Sequence, residues 1–548
     1  VFMTQSLSTV DWLVISAYLV FLVALAYWLS RKHQSSKDYY IADRQLGAWP
    51  VAISIMATQC STSSILGAPA FVAFSAEGGL VWLQYELAVP LAMIGLMLFL
   101  IPVFRRLKLV SVYSYLEQRY DLKTRLTMSA LFLVLRAFAS SVTVYSISIV
   151  IELITGLSFF WSVLLLGAFT VVYDVLGGIR GVIYSDVIQL FVLVVILLIV
   201  FFLLVENSNG LNSMLDSLEP DRRKTLNFAD HGLGDGNTFG FWPMLIGGSF
   251  LYMSYYGCDQ SQVQRTLSTR NIDESNQALF LNGLLRFPLV LLYCLVGVGI
   301  GAFASQNPEF ISGLPKINGV TELNLAVPHF MITNLPTGLV GLSMVALFAA
   351  AMSSLDSVLN SLSATTMEDF VTRFYPVMDW KENTELWCSR GITAVWGIIT
   401  LVMSFSVGGI ASTVLEAINQ IGSMANGSIL AVFALGLLTH RTNGSGVIIG
   451  LITGILVNAS LWAFAPLVSW LWWNVVGFCV TFVIGWGLGL VAAPSSNLQP
   501  EYLQDLRMAN IFTGECLVAE ANIDWRRRCA FMVAWFLMLL ILLWMLGA

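Results

Sequence analysis

The stretch MATQCSTSSILGAP, from Met56 to Pro69, decides how this chain folds. Within an apolar run, the seven residues from Thr58 to Ser64 are all polar or small, and Gly67 follows them closely. Hydrocarbon offers the backbone no water, so a helix breaks inside a bilayer only where its freed carbonyls line a cavity or bind a cation. One or two hydroxyl side chains could instead pack within an intact helix. Seven such residues in a row predict a break near the membrane centre.

The composition of the whole chain is that of an integral membrane protein. Its 548 residues are 57% hydrophobic and only 11% charged, whereas about a quarter of the residues are charged in soluble domains. Apolar runs of about 20 residues, the length of a bilayer-spanning helix, recur along the chain. The short alternating segments of membrane barrels are absent. The sequence therefore predicts an all-α membrane protein with about 14 transmembrane helices.

The predicted spans are apolar runs separated by polar or charged loops. They cover 11–29, 48–75, 79–104, 124–153, 160–177, 182–205, 239–258, 276–304, 336–365, 386–407, 413–438, 445–466, 468–492 and 529–547. About 20 of the 27 Lys and Arg residues fall in odd-numbered loops, among them Arg31, Arg105 and Arg265. Because cytoplasmic loops are rich in basic residues, we expect the odd-numbered loops inside the cell and both termini outside.

Several function classes find no support in the sequence. No GxxxxGK[ST] nucleotide motif occurs, and no loop is long or apolar enough to build a separate domain. The seven cysteines and four histidines show neither metal-ligand spacing nor a catalytic grouping. We therefore expect a protein that is not an enzyme and that binds no nucleic acid and no nucleotide. Any active transport would draw its energy from an ion gradient.

A short echo in the sequence suggests an internal repeat. Trp49-Pro50 opens the second predicted span, and Trp242-Pro243 opens the seventh. Because these two spans are an odd number of crossings apart, they would enter the membrane from opposite sides. That relation is the one expected of an inverted repeat.

A polar stripe runs along the ninth predicted span. Ser353, Asp356, Ser357 and Asn360 are spaced i, i+3, i+4 and i+7, so they share one face of a helix, and Ser354 borders that face. A carboxylate in mid-membrane is costly unless it faces an ion or a partner. The stripe therefore predicts a functional site, with a protonated packing residue as the alternative for its carboxyl group.

Asp186 is a second acidic residue inside an apolar run, near the start of the sixth predicted span. By position alone it could cap the helix or lie at the membrane interface. Together with Asp356 and the neighbouring hydroxyls, it would supply the several oxygen ligands that a hard cation needs. Sodium fits such a site, with the carbonyls of the broken helix as further ligands.

Two opposite charges also lie deep in apolar runs, Glu86 in the third span and Arg286 in the eighth. Mutual pairing is the least costly arrangement for such charges, either to line a solute pocket or as a purely structural contact. Tyr252, Tyr255 and Tyr256 end the seventh span. They could belong to the interfacial aromatic belt, or one of them could stack on a solute and close an inner gate.

In these motifs the chain resembles the sodium:solute symporter family, which includes sodium-coupled glucose, monocarboxylate, multivitamin and iodide transporters. The resemblance runs nearly end to end and rests on several motifs in order. They are DYYIADRQLGAWPVAIS, VSVYSYLEQRYDLKTR, LGGIRGVIYSDVIQ, YGCDQSQVQRTLS, AAAMSSLDSVLNSLSATTMEDF and GSILAVFALGLLTHRTNGSGVIIG.

The resemblance implies a LeuT-like core, in which helices broken at the membrane midplane surround the binding site. The chain would be a single transmembrane domain over 1–548. A leading helix at 11–29 would precede a first five-helix repeat at 48–205 and an inverted second repeat at 239–438. Additional helices would occupy 445–547.

The resemblance also implies a main sodium site and, in some relatives, a second one. The main site would use the carbonyls of Ala57, Cys60 and Ala350 and the hydroxyls of Ser353 and Ser354. The second would use Asp186, Ser353, Asp356 and Ser357. Asp356 stands where relatives often carry Ser or Ala, which leaves the second ion open. We therefore expect one sodium ion, or two if the second site is occupied.

For the solute, the resemblance implies a pocket of polar and aromatic side chains. Its members would be Gln59, Glu86, Tyr255, Arg286 and either Asn419 or Gln420. Two further candidate pocket residues, Ser64 and Tyr252, stand where sugar-binding relatives have other polar groups. Tyr255 matches the gate tyrosine of the sugar-transporting branch, and Tyr256 adjoins it. The motifs RQLG, LGAPA and YGCDQSQVQR are instead more similar to the monocarboxylate and multivitamin branch.

From these features we predict a sodium-coupled symporter that imports a small polar solute by alternating access. A sugar or polyol is favoured, because the Glu86 and Arg286 pair offers donors and acceptors to hydroxyls without net charge. The alternative is a small organic anion such as a monocarboxylate, a vitamin or a sialic acid, held by Arg286. An alternative of another class is a solute sensor that does not transport.

The partners of the chain would be sodium, the solute and a lipid bilayer. Outward loops 206–238 and 305–335 contain no Asn-x-Ser/Thr sequon. This absence favours a plasma membrane of bacterial type, the inner membrane.

Overall fold

The computed structural model describes residues 7–31, 35–317, 319–375, 382–407, 414–439, 441–491 and 522–547. Within these ranges the chain is almost wholly helical, as predicted. The one β-structure with two paired strands there is a short antiparallel hairpin, β1 (Lys316–Ile317) and β2 (Val320–Thr321). It lies in the loop between two long helices.

The helices of the first half alternate between long apolar spans and short connecting turns. They are α1 (Thr9–Ser30), α2 (Ser36–Ile41), α3 (Ala48–Gln59), α4 (Thr62–Phe74), α5 (Ala88–Gly95), α6 (Ile101–Arg106), α7 (Ser114–Arg119), α8 (Leu122–Thr155), α9 (Phe159–Asn207), α10 (Leu211–Asp216) and α11 (Pro220–Arg223).

The second half repeats this alternation. Its helices are α12 (Gly248–Cys258), α13 (Gln260–Leu267), α14 (Ile272–Gln306), α15 (Pro308–Ser312), α16 (Ala326–Asn334), α17 (Leu339–Thr365), α18 (Thr372–Phe374), α19 (Glu382–Ser406), α20 (Val414–Leu438), α21 (Gly444–Phe464), α22 (Trp470–Val491) and α23 (Trp525–Gly547). Short 3-10 or π segments extend several of them, at Ala42–Arg44, Leu80–Leu87, Leu96–Leu100, Pro243–Gly247, Leu323–Leu325 and Thr366–Val371.

In the described part of the chain, 10 helices are long and apolar enough to cross a membrane, or 11 if the bent pair α3 and α4 is one span. The predicted number was about 14. Two predicted spans, 160–177 and 182–205, fall within the single helix α9. The predicted span 239–258 yields only the short segments Pro243–Gly247 and α12, and 413–438 begins outside the described residues. A count of fourteen therefore remains a prediction.

Helix α9 has a local reason to bend at Gly178. A straight helix of its 49 residues would be about 74 Å long, more than twice the hydrocarbon thickness of a bilayer. Gly178 has φ +52°, and a Cβ there would lie 2.7 Å from the carbonyl oxygen of Tyr39. Only glycine fits that conformation and that close approach. The bend divides α9 into two segments, near the boundary that the sequence predicts between two spans.

Helix α17 lies at the centre of the bundle. In its span, Leu339–Phe374, 83% of the most apolar window is buried, against 22% in the span Trp525–Gly547 of α23. Helices α9, α8, α1 and α3 pack around α17. The polar stripe on α17 therefore faces protein on all sides, while α21, α22 and α23 present large apolar side chains outward.

Two helices end abruptly inside the bundle, and each follows one of the Trp-Pro pairs. Helix α3 ends at Gln59, Cys60 adopts a non-helical conformation, and α4 starts at an angle of 55°. This first break confirms the predicted interruption. Helix α12 ends at Cys258, and Asp259 is extended before α13 begins. The second break supports the idea of an inverted repeat, which itself remains a prediction.

Candidate functional site

The first break brings backbone carbonyls of α3 against two hydroxyls of α17. Because α3 ends at Gln59, the carbonyls of its last turn lose their helical amide partners. Ser353 Oγ lies 3.2 Å from the carbonyl oxygen of Ala57, and Ser354 Oγ lies 3.1 Å from that of Thr58. Both hydroxyls also lie 3.3 Å from the carbonyl oxygen of Ala350.

These oxygens form a compact set of neutral ligands. Carbonyl and hydroxyl oxygens suit hard cations, and a hydroxyl can rotate to offer either its proton or its lone pairs. Each hydroxyl here donates to a carbonyl, and it would turn its lone pairs to an ion that entered. The structure brings together four of the five predicted ligands, Ala57, Ala350, Ser353 and Ser354, and the carbonyl of Cys60 makes no hydrogen bond with the two hydroxyls among the described residues. Thr58 supplies a further carbonyl that the prediction did not include.

A second group of polar side chains surrounds the neighbouring turn of α17. Asp356 accepts a short hydrogen bond from Tyr173, and Ser357 Oγ lies 3.1 Å from Asp356 Oδ1. Asp186 on α9 accepts a hydrogen bond of 2.5 Å from Ser54 of α3. Both carboxylates are fully buried. The predicted ligands of the second ion thus lie on α9 and α17, and α3 contacts them through Ser54.

Arg265 also lies in this group, in a short helix and not in the loop that the sequence predicted, whereas its cytoplasmic side remains a prediction. It is in α13 and its side chain is fully buried. Its Nη2 is 3.5 Å from Asp186 Oδ2 and 2.6 Å from Thr58 Oγ1, and it also makes a short contact with Ser357 Oγ. Its Nε donates to Ser54 Oγ over 2.7 Å. A guanidinium can lie so deep because a carboxylate and several oxygens compensate its charge.

Glu86 and Arg286 form the predicted buried ion pair. Arg286 Nε lies 3.2 Å from Glu86 Oε2, and Arg286 Nη1 lies 3.3 Å from the thiol sulfur of Cys60. Tyr252 donates to Glu86 over 3.4 Å. Among the described residues, Nη2 of Arg286 donates no hydrogen bond. The pair therefore adjoins the first break, and it retains an unused donor.

Aromatic rings line one side of this pair. Tyr85 stacks on Tyr252 with ring centroids 5.0 Å apart, and Tyr256 lies 6.0 Å from Tyr252. A pocket with apolar ring faces and a few polar groups is typical of sites for small organic molecules. The sequence alone did not identify Cys60 as a neighbour of Arg286, because a single cysteine in a polar stretch forms no recognisable sequence pattern.

Tyr255 points toward the second break. Its hydroxyl accepts a hydrogen bond of 2.8 Å from Gln262, and its ring lies 5.1 Å from the guanidinium of Arg136. Arg136 on α8 in turn pairs with Asp259 at 2.5 Å. The predicted gate tyrosine thus belongs to a charged cluster that ties α8 to the junction of α12 and α13. Nothing in the sequence pattern paired Arg136 with Asp259.

The remaining predicted pocket residues are less well joined. Ser64 donates to the carbonyl of Gln59 across the first break, over 3.2 Å. Gln420 is half-buried in α20, and the side chain of Asn419 lies outside the described residues. Among those described, neither Gln59 nor Gln420 bonds to the Glu86 and Arg286 pair. The described residues also contain no cluster of three or more His, Cys, Asp or Glu side chains that could hold a metal ion.

Comparison with known proteins finds similar sodium-coupled transporters over most of the chain. Sodium/sialic acid symporter NanT of Aliivibrio fischeri is 27% identical over 92% of this chain and 97% of its own length. Sodium-coupled monocarboxylate transporter 2 of Bos taurus is 31% identical over 78% of this chain and 68% of its own. Sodium-dependent multivitamin transporter of Oryctolagus cuniculus is 30% identical over 93% of this chain and 76% of its own length.

The fold is shared with a solved Na+-coupled sialic acid symporter in a substrate-bound outward-open state. That structure superposes with a TM-score of 0.78 at 23% identity and covers 90% of this chain and 100% of its own. A model of the "Sodium:solute symporter family" matches residues 39–454, well over half of the chain. The chain belongs to the sodium:solute symporter family of membrane transporters.

Proposed function

We propose that this chain is a symporter that carries a small organic anion together with sodium across a bacterial inner membrane. One observation carries the proposal: the break between α3 and α4 adjoins both the proposed sodium ligands and the proposed solute-binding arginine. The carbonyls of Ala57 and Thr58 meet the hydroxyls of α17, and Cys60, two residues on, contacts Arg286. A bacterial relative among those compared supports the choice of membrane.

This shared break provides the coupling between ion and solute. Sodium at Ser353 and Ser354 would fix the end of α3, and with it the position of Cys60 beside Arg286. A ligand that favours one arrangement of the break raises the affinity of any other ligand that favours the same arrangement. Sodium and solute would therefore each promote binding of the other.

The chemistry of Arg286 supports an anion as the solute. Glu86 already neutralises its charge, but Nη2 remains available as a charged donor to a carboxylate, and hydrogen bonds between charged groups are stronger than neutral ones. Two relatives are named for acids, a sialic acid and monocarboxylates. The expectation of a sugar or polyol has no such support among these relatives, and it becomes the contrasting outcome of the test.

The test is uptake into proteoliposomes that contain the purified chain. An inward sodium gradient, and not a potassium gradient, should drive uptake of a radiolabelled acid from a panel of short monocarboxylates, sialic acid and biotin. Unlabelled acids should compete, and glucose or inositol should not. Competition by sugars alone would contradict the anion, and sodium-dependent binding without flux would indicate a sensor.

A pair of arginine variants sharpens this test. Arg286→Lys keeps the charge but loses the planar fork, so uptake of the acid should fall about tenfold. Arg119→Lys is the matched control, because Arg119 is equally buried and, among the described residues, donates to carbonyls of α20 and its C-terminal loop, 2.9 Å from Gly436 O and 2.6 Å from Thr439 O. Equal losses in both variants would argue against Arg286 as the anion-binding group.

A further inference from the structure

One buried carboxyl group on α9, that of Asp174, stands apart from the sites described above. Asp174 is 0% exposed, and neither of its side-chain oxygens has a hydrogen-bond partner among the described residues. An isolated carboxylate is very costly in such surroundings, and a buried acid avoids that cost by holding a proton. We infer that Asp174 is a proton-binding site at the bend of α9. The inference goes beyond the proposed function, because it adds a proton to the ligands of the chain.

The neighbour of this carboxyl group on α17 is an amide. Asn360 faces Asp174 and is also fully buried. Its Oδ1 accepts a hydrogen bond of 2.8 Å from Gln264, which leaves Nδ2 as the atom that faces Asp174, and Nδ2 bonds to no described residue. An amide NH2 group is a donor without charge, so it neither neutralises a carboxylate nor serves as a ligand for sodium. The position therefore fits a proton and not a metal ion.

The charged groups near Asp174 favour the same ligand. In the described part of the chain, the titratable groups that face it include no cation: they are Asp356 on α17, Asp186 and Tyr173 on α9, and Tyr39 on α2. Arg180, on the same helix, pairs with Asp38 of α2 at 3.0 Å, and Arg390 of α19 faces Tyr39. Acids that share a buried site do not all ionise, because like charges repel.

Helix α2 closes this site off from solvent. The hydroxyl of Tyr39 lies 3.2 Å from the carbonyl oxygen of Asp174, and a Cβ on Gly178 would lie 2.7 Å from a carbon of the Tyr39 ring. Tyr39 is itself 0% exposed. Water therefore reaches Asp174 only when α2 separates from the bend. In that opening the O–H bond of Asp174 breaks, a water molecule takes the proton, and water then solvates the carboxylate.

Infrared spectra of the full-length chain in liposomes test the inference directly. A protonated carboxyl group has a C=O stretching band that a carboxylate lacks, so wild type minus Asp174→Asn should show one such band in neutral buffer. Asp38→Asn is the matched control, because Asp38 is also buried beside the bend but is paired with Arg180. Its difference spectrum should show a carboxylate band instead. A carboxylate band in the Asp174→Asn difference would overturn the inference.

Uptake into proteoliposomes gives a second readout. Wild-type uptake should fall as the buffer becomes alkaline, by at most about tenfold per pH unit, the limit for loss of one proton. Asp174→Asn should be insensitive to pH over the same range, and Asp38→Asn should keep the wild-type slope. An unchanged slope in Asp174→Asn would overturn the inference.

A second variant covers the case in which Asp174→Asn does not fold. Asp174→Ser is smaller and also neutral, and it should give the same results in both measurements. The two proposals can fail separately. No sodium-driven uptake in any protein would contradict the proposed function, and the infrared difference would still decide whether Asp174 holds a proton.

Discussion

Both breaks in the bundle are points where a helix ends inside the protein, but the groups that contact the two helix ends differ. At the first, between α3 and α4, the freed carbonyls of Ala57 and Thr58 meet the neutral hydroxyls of Ser353 and Ser354. At the second, between α12 and α13, Asp259 pairs with Arg136 at 2.5 Å and also accepts a hydrogen bond from the amide of Ser261. Neutral oxygen ligands suit an ion that binds reversibly. At the second break, a charged side chain of α8 contacts the junction between the two helices.

This difference predicts that the second break matters most for stability and the first for ligands. The pair of Arg136 and Asp259 is partly buried, and removing one partner of such a pair leaves a charge that is only partly compensated by solvent, which is costly. Removing one neutral ligand leaves no such charge. The following variants test that division, from the largest expected effect to the smallest.

Asp259→Asn should lower the free energy of unfolding by about 2–4 kcal/mol, because Arg136 keeps its charge without a carboxylate. Chemical denaturation in detergent without sodium measures this change. Asp259→Glu preserves the charge and should lose much less. A loss below about 0.5 kcal/mol for Asp259→Asn would mean that the pair is no more than a surface contact.

Cys60→Ala should weaken solute binding about tenfold, because Arg286 loses the sulfur that helps to orient it over 3.3 Å and a hydrogen bond to a charged group is worth about 1.5 kcal/mol at the lower end. The concentration of the transported acid that gives half-maximal uptake into proteoliposomes measures this change in binding. Cys258→Ala, the equivalent residue just before the second break, should leave that value unchanged. Identical behaviour of the two variants would remove the distinction between the breaks.

Tyr255→Phe should have the smallest effect, a loss of about 0.5–1 kcal/mol in the free energy of unfolding. The variant loses the hydrogen bond from Gln262, 2.8 Å long, but keeps its ring beside Arg136. Tyr256→Phe is the control, because its hydroxyl has no partner among the described residues. A loss of uptake in Tyr255→Phe greater than tenfold would show that the hydroxyl, and not the ring, is the gate.

Sequence reasoning succeeded where the signal was local. Seven polar or small residues between Thr58 and Ser64 marked the first break, and helical spacing placed Ser353 and Asp356 on one face. The pairing of Glu86 with Arg286 was also predictable, because a lone charge in an apolar run needs a partner.

It failed where distant segments decide the outcome. The sequence of α13, QSQVQRTL, is polar and is typical of a loop. Its Arg265 is nevertheless buried, and it pairs there with Asp186 of α9. The pair of Arg136 and Asp259 joins residues 123 positions apart. Neither contact has a periodicity that one sequence could reveal. The exact position of the bend that divides α9 likewise depends on a distant contact, the close approach of Gly178 to Tyr39.

The central claim is that sodium binds where the end of α3 meets the hydroxyls of α17. Sodium titrations followed by thermal unfolding test it directly, because a ligand stabilises the folded state that binds it. Sodium, but not potassium, should raise the unfolding temperature of the wild type and of Ser343→Ala, whose hydroxyl bonds only within α17, to Val340. Ser354→Ala should require at least about tenfold more sodium for the same shift. An unchanged sodium response in Ser354→Ala and in Ser353→Ala would contradict the account.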